Sequence, residues 1–554
     1  MRTFYILIFF NFHFFSTSQS LNLNETYAID FLRTQQLIGN LRNNISFSIQ
    51  PLSIDYQTNE LLGFFKDQKS KKIFFRFLPI DFNSEFSSRH PYNRNNGSMI
   101  PSKGYQHLIS LGWFLKLGPL EIQLKPEQVY AENKSFEGFW AGHYPIILSR
   151  RIAHWNNIDI PERFGQTSFK KTYLGQSSIK FKLNKVSIGY SNENIWWGPS
   201  IRNSIMLSNH AKSFEHITFN SNSPLNTSFG TFEFQLITGK LTGSNYKQSY
   251  TDFKYANFLT YNSKPDEWRF FQGFNLVFSP KIVPGLSLGF IRWIQAYKSF
   301  IEKNKDYFPV FDNLLRINDK YGVSSDSLEG ERDQAAGLFF RWVLQESKAE
   351  IYSEFYYNDS KANFRDLLLD SDHSRAFSIG FQKVFNFIDE NNFFKIFGEW
   401  TQMEQSASRS LRNAGSWYTH YKVYHGFTNR GEVLGSGIGP GSNSYYFGIS
   451  KQKSNNNFGL FIEIVENDND FLYEAFKEAK DFRRYWKDYN LHITYKKIHK
   501  KIWTKFNLVY SRSLNYQWGL DDSYKGEGYD WYRPGIDINN FHLSLKLIIP
   551  ISLN

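Results

Sequence analysis

The chain has 554 residues and no cysteine, which excludes disulfides, cysteine-ligated zinc, iron–sulfur clusters and a lipid-anchoring cysteine. Its 56 Phe, 33 Tyr and 14 Trp make it 19% aromatic, yet its mean hydropathy is −0.47; that combination suits a chain alternating between lipid and water better than several soluble domains. The net charge of +12 favours anionic partners, with lipopolysaccharide phosphates and acidic polysaccharides ahead of nucleic acid in an exported chain.

Export is read from the first residues. Arg2 gives a positive start, Phe4 to Phe15 is apolar apart from Asn11 and His13, and Ser16-Thr17-Ser18 offers small residues for cleavage before Gln19. The stretch is too short to span a bilayer as a helix, which takes about 20 residues. A signal peptide over 1–18 is therefore expected. Its removal takes away Arg2 and no acid, so 63 basic residues face 52 acidic ones, a net of +11. Residues 25–40 read as a short helix, with Ala28, Phe31, Leu32 and Ile38 near helical spacing and Gly39 as the stop. The period then drops to two, with Ile45, Phe47 and Ile49 alternating before Pro51.

From about Gly104 alternation dominates. Ile109, Leu111, Trp113, Leu115 and Leu117 share one face up to the turn at Gly118-Pro119; Leu120, Ile122 and Leu124 then oppose Glu121, Gln123 and Lys125. The same pattern sets Phe232, Phe234 and Leu236 against Glu233 and Gln235, and Ile351, Phe355 and Tyr357 against Glu350, Glu354 and Tyr356. Phe458, Leu460, Ile462 and Ile464 oppose Gly459 and Glu463, and Ile502, Phe506, Leu508 and Tyr510 oppose Lys505 and Asn507. About 16 such segments fit a mid-sized transmembrane barrel. In the last, Phe541, Leu543, Leu545, Leu547 and Ile549 oppose Asn540, His542, Ser544, Lys546 and Ile548. Long polar insertions fall at 297–333, 401–443 and 511–538, as outer loops would. An exported chain apolar only on alternate residues can satisfy its backbone in lipid only as a closed sheet. A β-propeller would show blade repeats of about 40–50 residues, and the sequence has none.

Several motifs stand out beyond the alternation: Asn96 to Gln106 (NGSMIPSKGYQ), Gly118-Pro119-Leu120 leading to Pro126-Glu127 and Tyr130 to Lys134, and Asn194 to Pro199 (NIWWGP). Leu207 to Ala211 (LSNHA), His373 to Ala376, Gly435 to Ser444 (GSGIGPGSNS) and Ser513 to Trp518 complete the set, which covers most of the chain after residue 18. Together they resemble the Wzi family of capsule-assembly proteins as found in Bacteroidetes. The resemblance implies an all-β outer-membrane barrel of about 18 antiparallel strands with a small helical periplasmic element, to which the helix at 25–40 would belong. The expected division is 1–18 signal peptide, 19–72 N-terminal periplasmic helical or plug region, and 73–554 transmembrane barrel with long extracellular loops. The implied role is that of a lectin holding exported polysaccharide at the cell surface.

Two groups of residues are candidates for binding a glycan. The flat indoles of Trp196 and Trp197 could stack on sugar rings, with Glu193, Asn194 and Arg202 near enough to assist. Equally, the pair could pack a strand end, close the lumen or sit in an aromatic girdle. Arg150, Arg151 and Trp155 could bind uronate carboxylates or phosphate, or else pair with Asp159 and Glu162 in a lumen network. His420 and His425 could ligate a metal on a loop, but their spacing of five puts them on opposite faces of a strand. The glycine run 435–441 lacks the lysine and helix of a phosphate loop and reads as a mobile loop or a close backbone contact. The acidic run Glu466 to Asp470 and the Asp521 to Gly526 segment could suggest Ca²⁺, but read better as solvated loops. Asn209-His210-Ala211 superficially resembles the Asn-His-Ser of outer-membrane phospholipases, with Ala211 where the nucleophile would stand.

The expectation is a non-catalytic outer-membrane lectin for capsular or other surface polysaccharide, without cofactor or metal. Its further partners would be outer-membrane lipids and lipopolysaccharide, and it would be a monomer that binds no nucleic acid. The competing expectations are a porin-like channel for glycans or small solutes and an outer-membrane hydrolase.

Overall fold

The computed structural model describes residues 19–21, 26–42, 45–54, 56–62, 73–249, 261–305, 307–312, 331–359, 364–389, 392–410, 412, 414–477, 481, 483–521 and 534–551. The expected signal peptide at 1–18 lies outside these residues, as do 313–330 and 522–533 of the long insertions. Short breaks interrupt the first four wall strands: β1 (Ile73–Phe77 and Ile80–Ser87), β2 (Gly104–Ser110 and Trp113–Leu117), β3 (Leu120–Leu124 and Glu127–Ala131) and β4 (Phe169–Tyr173 and Ser178–Leu183). The wall continues through β5 (Val186–Ser191), β6 (Glu215–Ser221), β7 (Gly230–Leu241), β8 (Arg269–Pro280), β9 (Leu286–Tyr297), β10 (Arg332–Leu344) and β11 (Ala349–Asn358). It is completed by β12 (Arg375–Asp389), β13 (Asn392–Gln402), β14 (Asn443–Lys453), β15 (Asn456–Glu466), β16 (Lys487–His499), β17 (Ile502–Leu514) and β18 (Ile538–Ile549).

Each strand pairs antiparallel with the next, and β18 returns to β1 with His542 opposite Ser87 and Ile549 opposite Ile80. Counted so, the described residues form a closed barrel of 18 strands with no free edge, the condition lipid imposes on a sheet. The sequence pattern finds about 16 of these 18 strands.

The alternation seen in the sequence is that of a molecule turned inside out. Phe458 and Ile462 point outward and are each 54% exposed, while Glu463 next to Ile462 and Glu354 on β11 are fully buried. Successive side chains point to opposite faces of a strand, so each strand offers an apolar row to lipid and a polar row to the interior. The connections sort by length. Turns such as 118–119, 184–185, 454–455 and 500–501 close one end, while loops such as 132–168, 192–214, 403–442 and 467–486 gather at the other. The described helices are α1 (Thr26–Ile38), α2 (Tyr56–Leu62), α3 (Pro145–Asn156), α4 (Lys298–Asn304), α5 (Phe364–Leu369) and α6 (Asn469–Phe476).

The lumen is filled from both ends. Helix α1 lies across the short-turn end, where Tyr27 and Leu32 pack with Trp503 and Ile548. Its polar side chains meet the inward row of the wall. Arg33 donates to Glu350 at 2.7 Å, and the same carboxylate is held by Arg341. Asp30 accepts from Lys395 at 2.7 Å and from Lys496 at 2.6 Å; burial opposes its ionisation, but the two lysines outweigh it and hold the carboxyl well below the usual range. The alternating Ile45, Phe47 and Ile49 do not build a wall strand: only Ile49–Gln50 is extended, and it pairs with Trp196–Trp197 inside the barrel. From the other end loop 403–442 descends until Phe427 stacks on the inward-facing Trp293, with ring centroids 3.8 Å apart. The wall's lumen row tells the same story: Asn275, Gln295 and Gln382 are buried, as a water-filled pore would not leave them.

Candidate functional site

Loop 192–214 turns into the lumen and carries the first group of predicted residues. Trp197 donates its backbone N–H to Leu207 O at 3.1 Å and its indole N–H to Gln235 Oε1 at 2.7 Å. Its ring rests on the wall at Gly273, where a Cβ would come within 2.7 Å of it. Trp196 donates to Ser200 O at 3.1 Å and packs among the residues around α1. Glu193 is held by Lys180, by the Ser191 hydroxyl and by Gln123 at 3.2 Å. Asn194 donates to Ala211 O at 2.9 Å and accepts from Gln176 at 2.9 Å. Arg202 grips Glu463 through Nε and Nη2 at 3.1 and 2.9 Å and lies over the Tyr446 ring. These five residues share one loop, but every one faces protein. The expected stacking surface at Trp196-Trp197 is replaced by packing: both indoles are buried and neither offers a face to a sugar.

The second group sits on α3 in the long-loop end. Arg151 is buried in an aromatic cage, its guanidinium carbon 5.1 to 5.5 Å from the ring centres of Phe139, Trp155, Phe471 and Trp518. Its acid is Asp468 at 3.8 Å, not the expected Asp159 or Glu162. Asp159 accepts instead from Ser244, and Glu162 from the Phe139 N–H. The acidic run expected as a solvated loop is thus interior. Asp468 accepts from Phe471 N at 3.1 Å at the start of α6, and Asp470 accepts from Ser416 at 2.6 Å and Gln405 N at 2.9 Å. Burial raises Asp468 to about 7, with Arg151 opposing, and Asp470 to about 6, with the Ser416 bond opposing. Trp155 is fully buried, whereas Arg150 keeps a third of its side chain in solvent beside the exposed Glu474.

The outward surface of this cap carries residues that sequence reasoning missed. Tyr144 and Tyr421 are 61% and 60% exposed, and Lys422 and Tyr424 are also exposed. They are tied to the ends of α3. Tyr144 precedes its first turn, and at its other end His420 donates its N–H to Asn157 O at 3.0 Å. Lys264 bridges Trp155 O at 2.5 Å and Tyr424 O at 2.6 Å. The helix between them is about 18 Å long at 1.5 Å per residue, the span of several sugar units. Exposed phenol rings can stack on sugars, and Arg150 and Lys422 can meet carboxylate or phosphate. Local alternation cannot reveal such a surface, because it is assembled from three loops.

The remaining motifs are structural. His420 Nδ1 accepts from the Lys422 and Val423 N–H groups, and His425 bonds to Tyr297 Oη at 3.0 Å; among the described residues no group of three acids or histidines could hold a metal. The glycine run makes close backbone contacts. A Cβ on Gly437 would come 2.6 Å from His210, and Gly437 O accepts from Arg94 at 2.6 Å. Of the Asp521 to Gly526 segment only Asp521 is described; 522–526 lie outside the described residues.

Comparison with known proteins places this architecture. No curated protein matches the chain in sequence. Among solved structures it is similar to Escherichia coli Wzi, described as an outer-membrane protein involved in group 1 capsule assembly and a carbohydrate-binding β-barrel. That likeness has a TM-score of 0.57 and 12% identity, covering 97% of this chain and 100% of that one. OprB of Pseudomonas putida (TM-score 0.34, 11% identity, 86% of this chain and 94% of that one) and OprD of Pseudomonas aeruginosa (0.36, 9%, 86% and 93%) also align. The family model described as capsule assembly protein Wzi matches residues 111–515, from the second strand to the seventeenth and through both groups of predicted residues. The chain, an outer-membrane β-barrel, therefore belongs to the Wzi family of capsule assembly proteins.

Proposed function

We propose that this protein holds capsular or another surface polysaccharide at the outer face of the outer membrane, as a non-catalytic lectin. The observation that carries the reading is the filled lumen: with α1, loop 192–214 and loop 403–442 packed inside, the surface left for a large glycan is the loop cap. Tyr144, Tyr421 and Tyr424 would stack on sugar rings, and Arg150 and Lys422 would meet acidic groups. Arg151 and Trp155 support that surface from beneath, while Trp196, Trp197, Glu193, Asn194 and Arg202 pack the lumen. Membership of a capsule-assembly family and the fold shared with a carbohydrate-binding barrel agree with this reading. A porin-like role would need a continuous aqueous path through the region that these segments occupy.

The test is cell-bound against released polysaccharide in a deletion strain. Complementation by the natural chain should return glycan to the cells. Complementation by Tyr421→Ala/Tyr424→Ala/Arg150→Ala, whose side chains reach solvent, should leave much of it in the medium while barrel levels stay unchanged. Full retention by that variant would remove the loop cap as the binding face; unchanged retention in the deletion strain would remove the role.

A further inference from the structure

Part of the outward row of the barrel is polar. On β7 to β10, near the long-loop end, the residues facing away from the lumen include Thr238, Gln272, Arg292 and Gln334. Their direction follows from strand parity, since the intervening Ile237, Phe271, Ile291, Trp293 and Ala335 all belong to the lumen core. Arg292 lies opposite Phe274 and Ala336, five residues inside the end of β9 at Tyr297. A tilted strand advances roughly 2.5 Å per residue along the barrel axis, so the guanidinium lies about 12 Å below the rim, where a bare cation facing lipid is strongly unfavourable.

The chain covers this notch with its own loop. After Tyr297 the path turns back over the outside of the wall, and Phe300 and Ile301 of α4 pack on the outward-facing Phe270 and Ala296. Residues 307–312 continue down the wall. Val310 N donates to Gln272 Oε1 at 3.1 Å, and Gln272 Nε2 donates to Tyr307 O at 3.1 Å and Thr238 Oγ1 at 3.0 Å. Arg292 Nη1 donates to Val310 O at 3.0 Å and to Asp312 O, and its Nη2 donates to Gln334 Oε1 at 3.0 Å. Pro309 and Val310 are buried against the wall, while Tyr307, Phe308 and Phe311 are 51%, 63% and 61% exposed. The Phe311 ring packs against the outward Phe274, with centroids 5.7 Å apart.

We infer that residues 298–305 and 307–312 form a lipid-embedded saddle, in which Tyr307, Phe308 and Phe311 contact the acyl chains of the outer leaflet while the backbone beneath satisfies Arg292 and Gln272. The occupant is lipid because this surface is continuous with the lipid-facing band: Phe274 lies under it, and the exposed Leu288 and Leu338 lie on the neighbouring strands. The saddle replaces a polar notch by an aromatic surface in the part of the wall where lipid demands one.

A cysteine-free chain allows single labels. Phe308→Cys and Phe311→Cys, spin-labelled in vesicles of phosphatidylethanolamine and phosphatidylglycerol, are compared with Leu338→Cys on the lipid face and Tyr421→Cys on the loop cap. The expected result is that both saddle labels collide with oxygen more than with a water-soluble nickel chelate, as the 338 label does. Nickel collisions matching those at 421 would put the segment in water, and low collision with both reagents would put a second protein copy over it; either overturns the inference. In a second measurement Gln272→Leu/Arg292→Leu removes the anchors. The nickel collision rate at the 311 label should then rise at least threefold, and an unchanged rate would refute the anchoring.

Discussion

At the residue scale, burial decides what the conspicuous side chains do. Trp197 brings the edge of its six-membered ring against the wall only because position 273 has no Cβ. Gly273→Ala forces the indole off that seat, and overpacking of this kind costs about 1–3 kcal/mol. The expected result is a lower unfolding midpoint with loop 192–214 more open to protease, while strand content by circular dichroism is retained. Arg151 is a second such point. Arg151→Ala leaves Asp468 buried without its cation and empties an aromatic cage; losing one partner of a buried pair costs about 3–5 kcal/mol. Amide exchange should quicken in 145–156 and 469–476 and stay unchanged in β7 to β13. Arg150, partly in solvent one position earlier, tolerates the same change.

At the element scale, the plug helix is held by charge as much as by apolar contact. Asp30 is the carboxylate between Lys395 and Lys496. Asp30→Asn leaves those ammonium groups without it, so exchange protection across 26–38 should fall at least tenfold (~1.4 kcal/mol) with the barrel intact on a semi-native gel. Loop 403–442 is vulnerable to milder acid. Burial holds His420 at about 4 and His210, packed against Gly437 of the same loop, at about 3, so both stay neutral when folded but take up protons near 6.5 when unfolded. Their contribution is complete above pH 6.5 and is lost as pH falls toward 4. Protection factors across 418–442, corrected for the intrinsic slowing of amide exchange in acid, should therefore fall between pH 7 and pH 4.5, and His420→Gln should blunt the change. Asp468 and Asp470, whose values are raised, act in the opposite sense, and because Asp470 accepts from Ser416 the segment to follow is 418–442.

At the scale of the whole molecule, the wall and its filling are separable. The wall is held by ladder hydrogen bonds around a closed circuit, the filling by two sets of contacts from opposite ends. The natural protein should pass little current in planar bilayers. Deleting 26–54 should raise the conductance only modestly, because Phe427 and its neighbours still pack on Trp293, whereas deleting 414–434 as well should open a pore of the size expected for eighteen strands. A large conductance in the natural protein would contradict the filled lumen.

The sequence by itself determined the wall. Lipid on one side and a polar interior on the other act on each residue separately, so the pattern from Phe541 to Ile549, or from Phe458 to Ile464, could be read without knowing any neighbour. The helix at 25–40 was legible for the same reason, from four apolar residues at one spacing. The tertiary structure alone decided what fills the wall and what meets solvent. Whether Trp197 stacks on a sugar or on Gly273, whether Arg151 faces a ligand or Asp468, and whether Phe311 belongs to a loop in water or to the outside of the barrel depend on segments tens to hundreds of residues away. Such contacts leave no periodicity, because each is made once, between particular residues, after the closed sheet has brought them together.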